Sequence, residues 1–286
     1  MNLIKNFEKP IRETIKDRIS VRSYDHQDIP QQIIEKINSF ARNVPVLFDT
    51  RIKVQILNVP SLQKDVDLKL GTYGIIRGTN YFIASTHPDD SISRLNAGYV
   101  LEYIVLYAAS LGLGSCWLAG TFNRSAFSQA MAMKKGEVMP AIIALGYPIG
   151  QKTHLLDSIF RVVAKSRTRK SWDQIFFNEN FSSPLSESEA GQLTDAFEML
   201  RLAPSASNKQ PWRLLKCGNR IHFYIYRTPR NNKLPYHHLA YVDLGIGMAH
   251  FELTNRELGL PGVWEINDPV VSDLSQDLTY VITWVF

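Results

Sequence analysis

The sequence predicts an α+β fold built from two tandem copies of one unit, fused in a single chain of 286 residues. Three observations predict it. Long apolar helical stretches are interleaved with short alternating strand-like runs. The segment "NAGYVLEYIVLYAASLGLGSCW" (96–117) aligns without gaps on "DLGIGMAHFELTNRELGLPGVW" (243–264). Gly98 meets Gly245, Leu111 meets Leu258, Gly112 meets Gly259, Leu113 meets Leu260 and Trp117 meets Trp264, while Asn96 meets Asp243. Identities of that number arise by chance between two helices. The third observation decides the matter: each segment follows a strand, and each strand follows a helix, at 29–42 and 186–202. The shared order of elements makes duplication the better reading.

The elements follow in order. Ile4, Phe7, Ile11 and Ile15 fall at helical spacing, predicting a helix over 4–18. "IPQQIIEKINSFAR" (29–42) predicts a second helix behind a proline. "RIKVQILNV" (51–59) and "TNYFIAST" (79–86) read as strands. Residues 93–114 form a long apolar helix, with Gly112 as a C-terminal cap. "PAIIALGYP" (140–148) is a buried strand. Residues 149–184 read as a connector. Ser186 and Glu189 make a capping box for a helix reaching Leu202. A strand at 221–227, a helix near 239–258 and a final strand at 278–286 complete the second copy. The halves are expected to be 1–170 and 171–286.

Composition narrows the function. Apolar residues make up 45% of the chain, and no apolar run reaches the length of a membrane span. The charged N-terminal stretch lacks an apolar signal core, so the cytoplasm is the expected location. Only Cys116 and Cys217 are present, too few for a disulfide framework and not at metal-like spacing. His87, His154, His222, His237, His238 and His250 show no metal spacing either. Adjacent His237 and His238 point in different directions on a helix, which favours a structural role. The net charge of +5 and pI near 9.1 suit phosphate-bearing small ligands. The one dense basic cluster, at 161–170, lacks the aromatic interleaving of a nucleic-acid surface, so no nucleic-acid partner is expected.

Three stretches carry chemistry. In "RISVRSY" (18–24), an extended backbone would place Arg18, Ser20 and Arg22 on one side. Two guanidiniums and a hydroxyl suit a phosphate. Arg167 and Arg169 offer a second basic pair. In "APSASNKQPW" (203–212), Pro204 fixes a turn, and Ser205, Ala206 and Ser207 are small enough for backbone to approach a flat ligand. Asn208 both donates and accepts, which suits a ring edge presenting both functions.

Taken together, "RISVR" (18–22), "LGLGSCW" (111–117), "LGYP" (145–148), "RTRKSWDQIF" (167–176) and "APSASNKQPW" (203–212) resemble the FMN-dependent nitroreductase family. The motifs span most of the chain, and the last is the specific one. The order departs from the family. Its members are homodimers with FMN at the subunit interface, bound by Arg-Ser-Arg, glycine-loop and basic-tail segments of one subunit and the Pro-Ser-Asn segment of the other. Here the first half carries the former set and the second half the latter. The resemblance is therefore to a single-chain, duplicated branch, in which the chain is an internal pseudo-dimer and acts as a monomer.

The resemblance implies a nitroreductase-like fold. It implies that Arg18, Ile19, Ser20 and Arg22, with Arg167 and Arg169, hold the phosphate and ribityl chain of FMN. Leu118, Ala119 and Gly120 would place backbone N–H groups near flavin N5, and Pro204, Ser205, Ala206 and Asn208 would line the isoalloxazine. Cys116 is expected to be a buried, inert thiol. Tyr73, Tyr81 and Phe122 are candidates for an acceptor pocket, with core packing as the competing role. No Lys or Arg occurs between Lys170 and Arg201, and "FARNVPVLFDTRIKV" (40–54) lacks the Pro-Ser-Asn pattern, so one FMN per chain is expected. The implied activity is ping-pong transfer from NAD(P)H to a small aromatic, quinone or enone acceptor, with no side-chain catalyst and no metal. Two other readings stand beside it: a flavin-binding sensory protein without turnover, and an enzyme that consumes flavin as substrate.

Overall fold

Two helices that are apolar on every side need neighbours on every side. The computed structural model describes residues 3–60, 71–149, 168–227, 236–269, 271 and 274–286. Its centre is the packing of helix α3 (Ser91–Ser110) on helix α7 (Tyr236–Glu257). They cross at glycines. A methyl group on Gly98 would lie 2.0 Å from the Val242 carbonyl oxygen, and one on Gly245 would lie 2.0 Å from the Leu95 carbonyl oxygen. The register that pairs Gly98 with Gly245 also pairs Leu95 with Val242. Each close approach is thus the image of the other, as at an isologous dimer interface.

The sheets repeat the same relation. In the first half, β1 (Lys53–Asn58), β2 (Tyr81–Pro88), β3 (Gly114–Leu118), β4 (Glu137–Val138) and β5 (Ile142–Gly146) form one sheet. Its order is β1-β2-β5-β3, with β4 on β2. The second sheet contains β6 (Phe176–Asn178), β7 (Asn180–Pro184), β8 (Trp212–Cys217), β9 (Arg220–Tyr226), β10 (Val263–Glu265) and β11 (Leu278–Val285). Read from β8 its order is β8-β9-β11-β10, the same path as the first. The β6–β7 hairpin adds to β8 through a parallel β6 pairing, so β8 is internal where β1 is an edge. The fold is α+β, in two fused copies.

Smaller elements complete it: α1 (Ile11–Asp17), α2 (Gln31–Ala41), α4 (Arg124–Ala130), α5 (Glu187–Ala190) and α6 (Thr194–Arg201). The predicted helix over 4–18 is a 3-10 turn at Leu3–Asn6 followed by α1, because Pro10 has no N–H and biases Lys9 away from helix. Pro10 leaves the start of α1 without a side-chain cap of its own. Glu257 of α7 supplies it, accepting from Ile11 N at 2.5 Å and from Arg12 N at 3.3 Å. The capping box at Ser186 is present, but Gly191 at φ 57° breaks the predicted helix after α5. Gly112 ends α3 as expected, at φ 87°, with Leu113 N donating back to Ala108 O at 3.1 Å.

One apolar core runs through both halves around α3 and α7. A smaller one fills the other face of the first sheet, where Cys116 lies buried with Phe82, Phe122 and Phe127. No helix among the described residues is long and apolar enough to cross a membrane.

Candidate functional site

Residues 18–24 leave α1 in an extended conformation and are pinned on both sides. Ser20 bridges in parallel to Ser115 of β3, and Val21 N donates to Ser115 O at 2.8 Å. On the other side Arg77 N donates to Arg22 O, and Tyr24 N to Arg77 O, each at 2.9 Å. Gly114 permits this approach, since a side chain there would press on Val21 at 2.8 Å. Leu118, Ala119 and Gly120 continue the strand that Ser20 adjoins; Leu118 is buried, Ala119 half-buried and Gly120 exposed.

Arg18 is the informative residue. Its side chain is only 7% exposed, and its Nε lies 4.0 Å from Glu102 Oε1. Its Nε and Nη1 are buried without a hydrogen-bond partner. Glu102 is already well served: Trp117 donates to it at 2.8 Å, and His250 Nε2 lies 2.9 Å away. His250 Nδ1 faces the Met199 carbonyl at 2.9 Å. Arg18 therefore brings two buried, unmet donors into the site beside a carboxylate that is too far to accept from them, a costly arrangement unless a ligand accepts instead.

The second-half loop 204–210 is fixed by its own network. Ser207 and Asn208 both take left-handed backbone, at φ 51° and 54°. Asn208 Nδ2 donates to Thr168 O at 2.8 Å, and Asn208 Oδ1 accepts from Arg169 Nη1 at 3.3 Å. Arg169 Nη2 donates to Leu202 O at 2.9 Å. Gln210 Oε1 accepts from Lys170 N at 2.8 Å, and Gln210 N donates to Ser205 Oγ at 2.9 Å. Beneath the loop, Asp243 of α7 accepts from Ala206 N at 2.9 Å. Burial raises the Asp243 pKa to about 7, against the opposing effects of that bond and of Lys209.

The two halves meet here. Burial lowers the Arg169 pKa to about 10, and the charges of Arg18 and Arg201 push it the same way. Arg169 thus feels Arg18 of the first half while bonded to Asn208 of the second. Of the predicted residues, Arg18, Ser20 and Arg22 share one pinned segment, with Ile19 55% exposed among them. Arg169 joins Pro204, Ser205, Ala206 and Asn208. Arg167 lies outside the described residues. The Asn208 amide bonds within the site to Thr168 and Arg169. Among the acceptor-pocket candidates, Phe122 and Tyr81 are buried and Tyr73 is 74% exposed. The Asn123 N–H, bonded to Gly71 O at 2.9 Å, brings the Tyr73 turn beside Phe122. Glu102, His250, Gln210 and Asp243 were not singled out by their local sequence. Among the described residues, no group of three His, Cys, Asp or Glu could hold a metal ion.

Known proteins share the family and the fold. A family model described as "Putative TM nitroreductase" matches residues 10–255, so the chain belongs to that nitroreductase family. The crystal structure of a putative nitroreductase from Thermotoga maritima superposes with a TM-score of 0.62 at 21% identity, over 97% of this chain and 94% of that one. A nitroreductase family protein from Clostridium novyi gives a TM-score of 0.42 at 22% identity, over 52% of this chain and 91% of that one. An FMN-dependent nitroreductase from Clostridium difficile gives 0.39 at 21% identity, over 51% and 92%. No curated protein matches the sequence. Membership of the family makes the chain an oxidoreductase.

Proposed function

We propose that the protein is an FMN-dependent NAD(P)H oxidoreductase holding one FMN per chain, across the internal interface of residues 1–170 and 171–286. The observation that carries this reading is Arg18. It is a buried cation with two unmet donors, and its charge reaches an arginine bonded to the Pro-Ser-Asn loop of the other half. A dianionic phosphate would satisfy such a group. Arg18 and Arg22, with Arg169 and Arg167, would hold the phosphate end. Ile19 and Ser20 would line the ribityl chain, and Pro204, Ser205, Ala206 and Asn208 the ring. Leu118, Ala119 and Gly120 would face the reacting edge with backbone groups, where an N–H favours negative charge on the ring. When bound, flavin would supply hydride chemistry between NAD(P)H and a small aromatic, quinone or enone acceptor. The chain's own work is to bind, orient and neutralise.

The first half supports one site rather than two. Its loop carries Val46, Leu47 and Phe48, which are bulkier than Ser205, Ala206 and Ser207. The chain also offers no Arg-Ser-Arg segment from the second half. We further infer a monomer acting in the cytoplasm. The visible spectrum of the FMN-loaded protein, with flavin counted per chain, tests the reading. One flavin that NADH or NADPH bleaches and an acceptor restores supports it. Two flavins per chain, or none, would overturn it.

A further inference from the structure

Asp243 sits under the loop that would line the flavin ring. It is 5% exposed, and its Oδ1 holds the Ala206 N–H at 2.9 Å. The repeat places Asn96 at the same point under residues 45–49. The Asn96 amide does more there. It accepts from Leu47 N at 2.7 Å and donates to Leu47 O at 3.0 Å and to Ile92 O at 3.2 Å. An ionised carboxylate only accepts, so Asp243 can hold an N–H but no carbonyl; a protonated one can do both, as an amide does.

We propose that Asp243 is a positioning residue that couples proton uptake to the grip on the flavin-side loop, and so to flavin affinity. The proposal rests on the FMN reading above. The surroundings favour such a change. Burial raises the Asp243 pKa to about 7, and Lys209, on the loop itself, is the charged side chain that opposes this. From α3, the backbone of Leu95 and the close-packed Gly98 adjoin the same stretch of α7, and from α6 Leu200 packs on Gly247. Arg94 of α3 is paired with Asp89, Tyr241 acts on its charge, and that charge lowers the pKa of His238. FMN brings a phosphate dianion to the site, and two-electron reduction adds further negative charge. Both disfavour an ionised Asp243. Loop grip and charge therefore act in one direction: the protonated form binds flavin more tightly.

The test is the pH dependence of FMN dissociation, followed by fluorescence for wild type, Asp243→Asn and Asp243→Ala. The wild-type dissociation constant should rise about tenfold between about pH 6 and about pH 9. Asp243→Asn should bind as the wild type does at the acid end and lose that rise, keeping only the titration of free FMN that all three share. Asp243→Ala should bind weakly throughout, because it holds neither N–H nor carbonyl. A wild-type profile in Asp243→Asn, or wild-type affinity in Asp243→Ala, overturns the proposal. If no variant binds FMN at any pH, the flavin reading fails instead. The proton step is then read on the apoprotein, as an infrared carboxylic-acid band that grows as pH falls through about 7 and is missing in Asp243→Asn. Absence of that band from the wild type overturns the proposal as well.

Discussion

The loops at 45–49 and 204–208 share a backbone and little else. Each begins with a proline, Pro45 or Pro204. Each turns through two successive left-handed residues, Phe48 and Asp49 at φ 55° and 50°, and Ser207 and Asn208 at φ 51° and 54°. Each is held by one polar side chain of a central helix, Asn96 or Asp243. Yet Val46 and Phe48 are 43% and 41% exposed and apolar, where the other loop has small polar residues. The buried carboxylates diverge in the same way. Trp117 donates to Glu102, and the aligned Trp264 donates to Glu252. Glu102 has Arg18 nearby, from the phosphate-type segment; Glu252 has Arg256, four residues along its own helix. The anchoring contacts fix the same loop geometry in both copies, whatever side chains the loop carries.

The largest effects should come from the shared part. Gly98→Ala and Gly245→Ala each set a methyl 2.0 Å from a carbonyl oxygen across the α3–α7 crossing. The helices must separate, so each variant should lose about 3 kcal/mol or more in chemical denaturation. Their symmetry demands similar losses. A variant that is tolerated while its counterpart unfolds would break the pseudo-dimer description.

The next effects should fall on one half only. Arg18→Ala removes two buried donors, and if they hold the phosphate, FMN affinity should drop about 100-fold. A titration followed by flavin fluorescence would check this; unchanged affinity would refute the assignment of Arg18. Replacing Ser205 and Ser207 together by the Val and Phe of the other copy should keep the fold, because that backbone carries such side chains at 46 and 48. It should weaken FMN by about tenfold through steric obstruction. Retained affinity would show that bulk in the first loop is not what closes the second site.

How much of this could be read from sequence follows from where each feature is encoded. The Arg-Ser-Arg and Pro-Ser-Asn segments are contiguous, so they could be picked out as candidate ligand segments. The doubled order of elements was visible through the alignment of the two central helices. Strands β6 and β7 were hidden in a connector, because "FFN" is too short to alternate and its pairing with β8 is set only by the fold. Helix α4 is one short stretch without a clear apolar face. Pro10 and Gly191 were legible as breakers, but the apolar spacing on either side outweighed them. Glu102, His250 and Asp243 stand inside long apolar helices, where a single polar residue reads as noise until the partner from another element is placed. Only Asp243 left a trace, in its alignment with Asn96.

That pair offers the finest test of the comparison, through reciprocal exchange. Asp243 is raised from its ordinary carboxylate value to about 7, chiefly by burial. A carboxyl raised on folding binds protons more tightly in the native state, so the stability it permits is greatest below the unfolded pKa of about 4 and falls until about pH 7. Asp243→Asn should remove that decline and make the apoprotein more stable by about 1 to 2 kcal/mol at about pH 8, with little change at about pH 4. Asn96→Asp should do the reverse. It discards the donation to Leu47 O and buries a carboxylate, so a similar loss should appear at alkaline pH and shrink on acidification. Thermal melts of both variants across that range would measure it. Opposite signs mean that the two anchors occupy equivalent environments and differ by the proton. Equal signs would mean that the loop at 204–208 needs a charge beneath it that the loop at 45–49 does not.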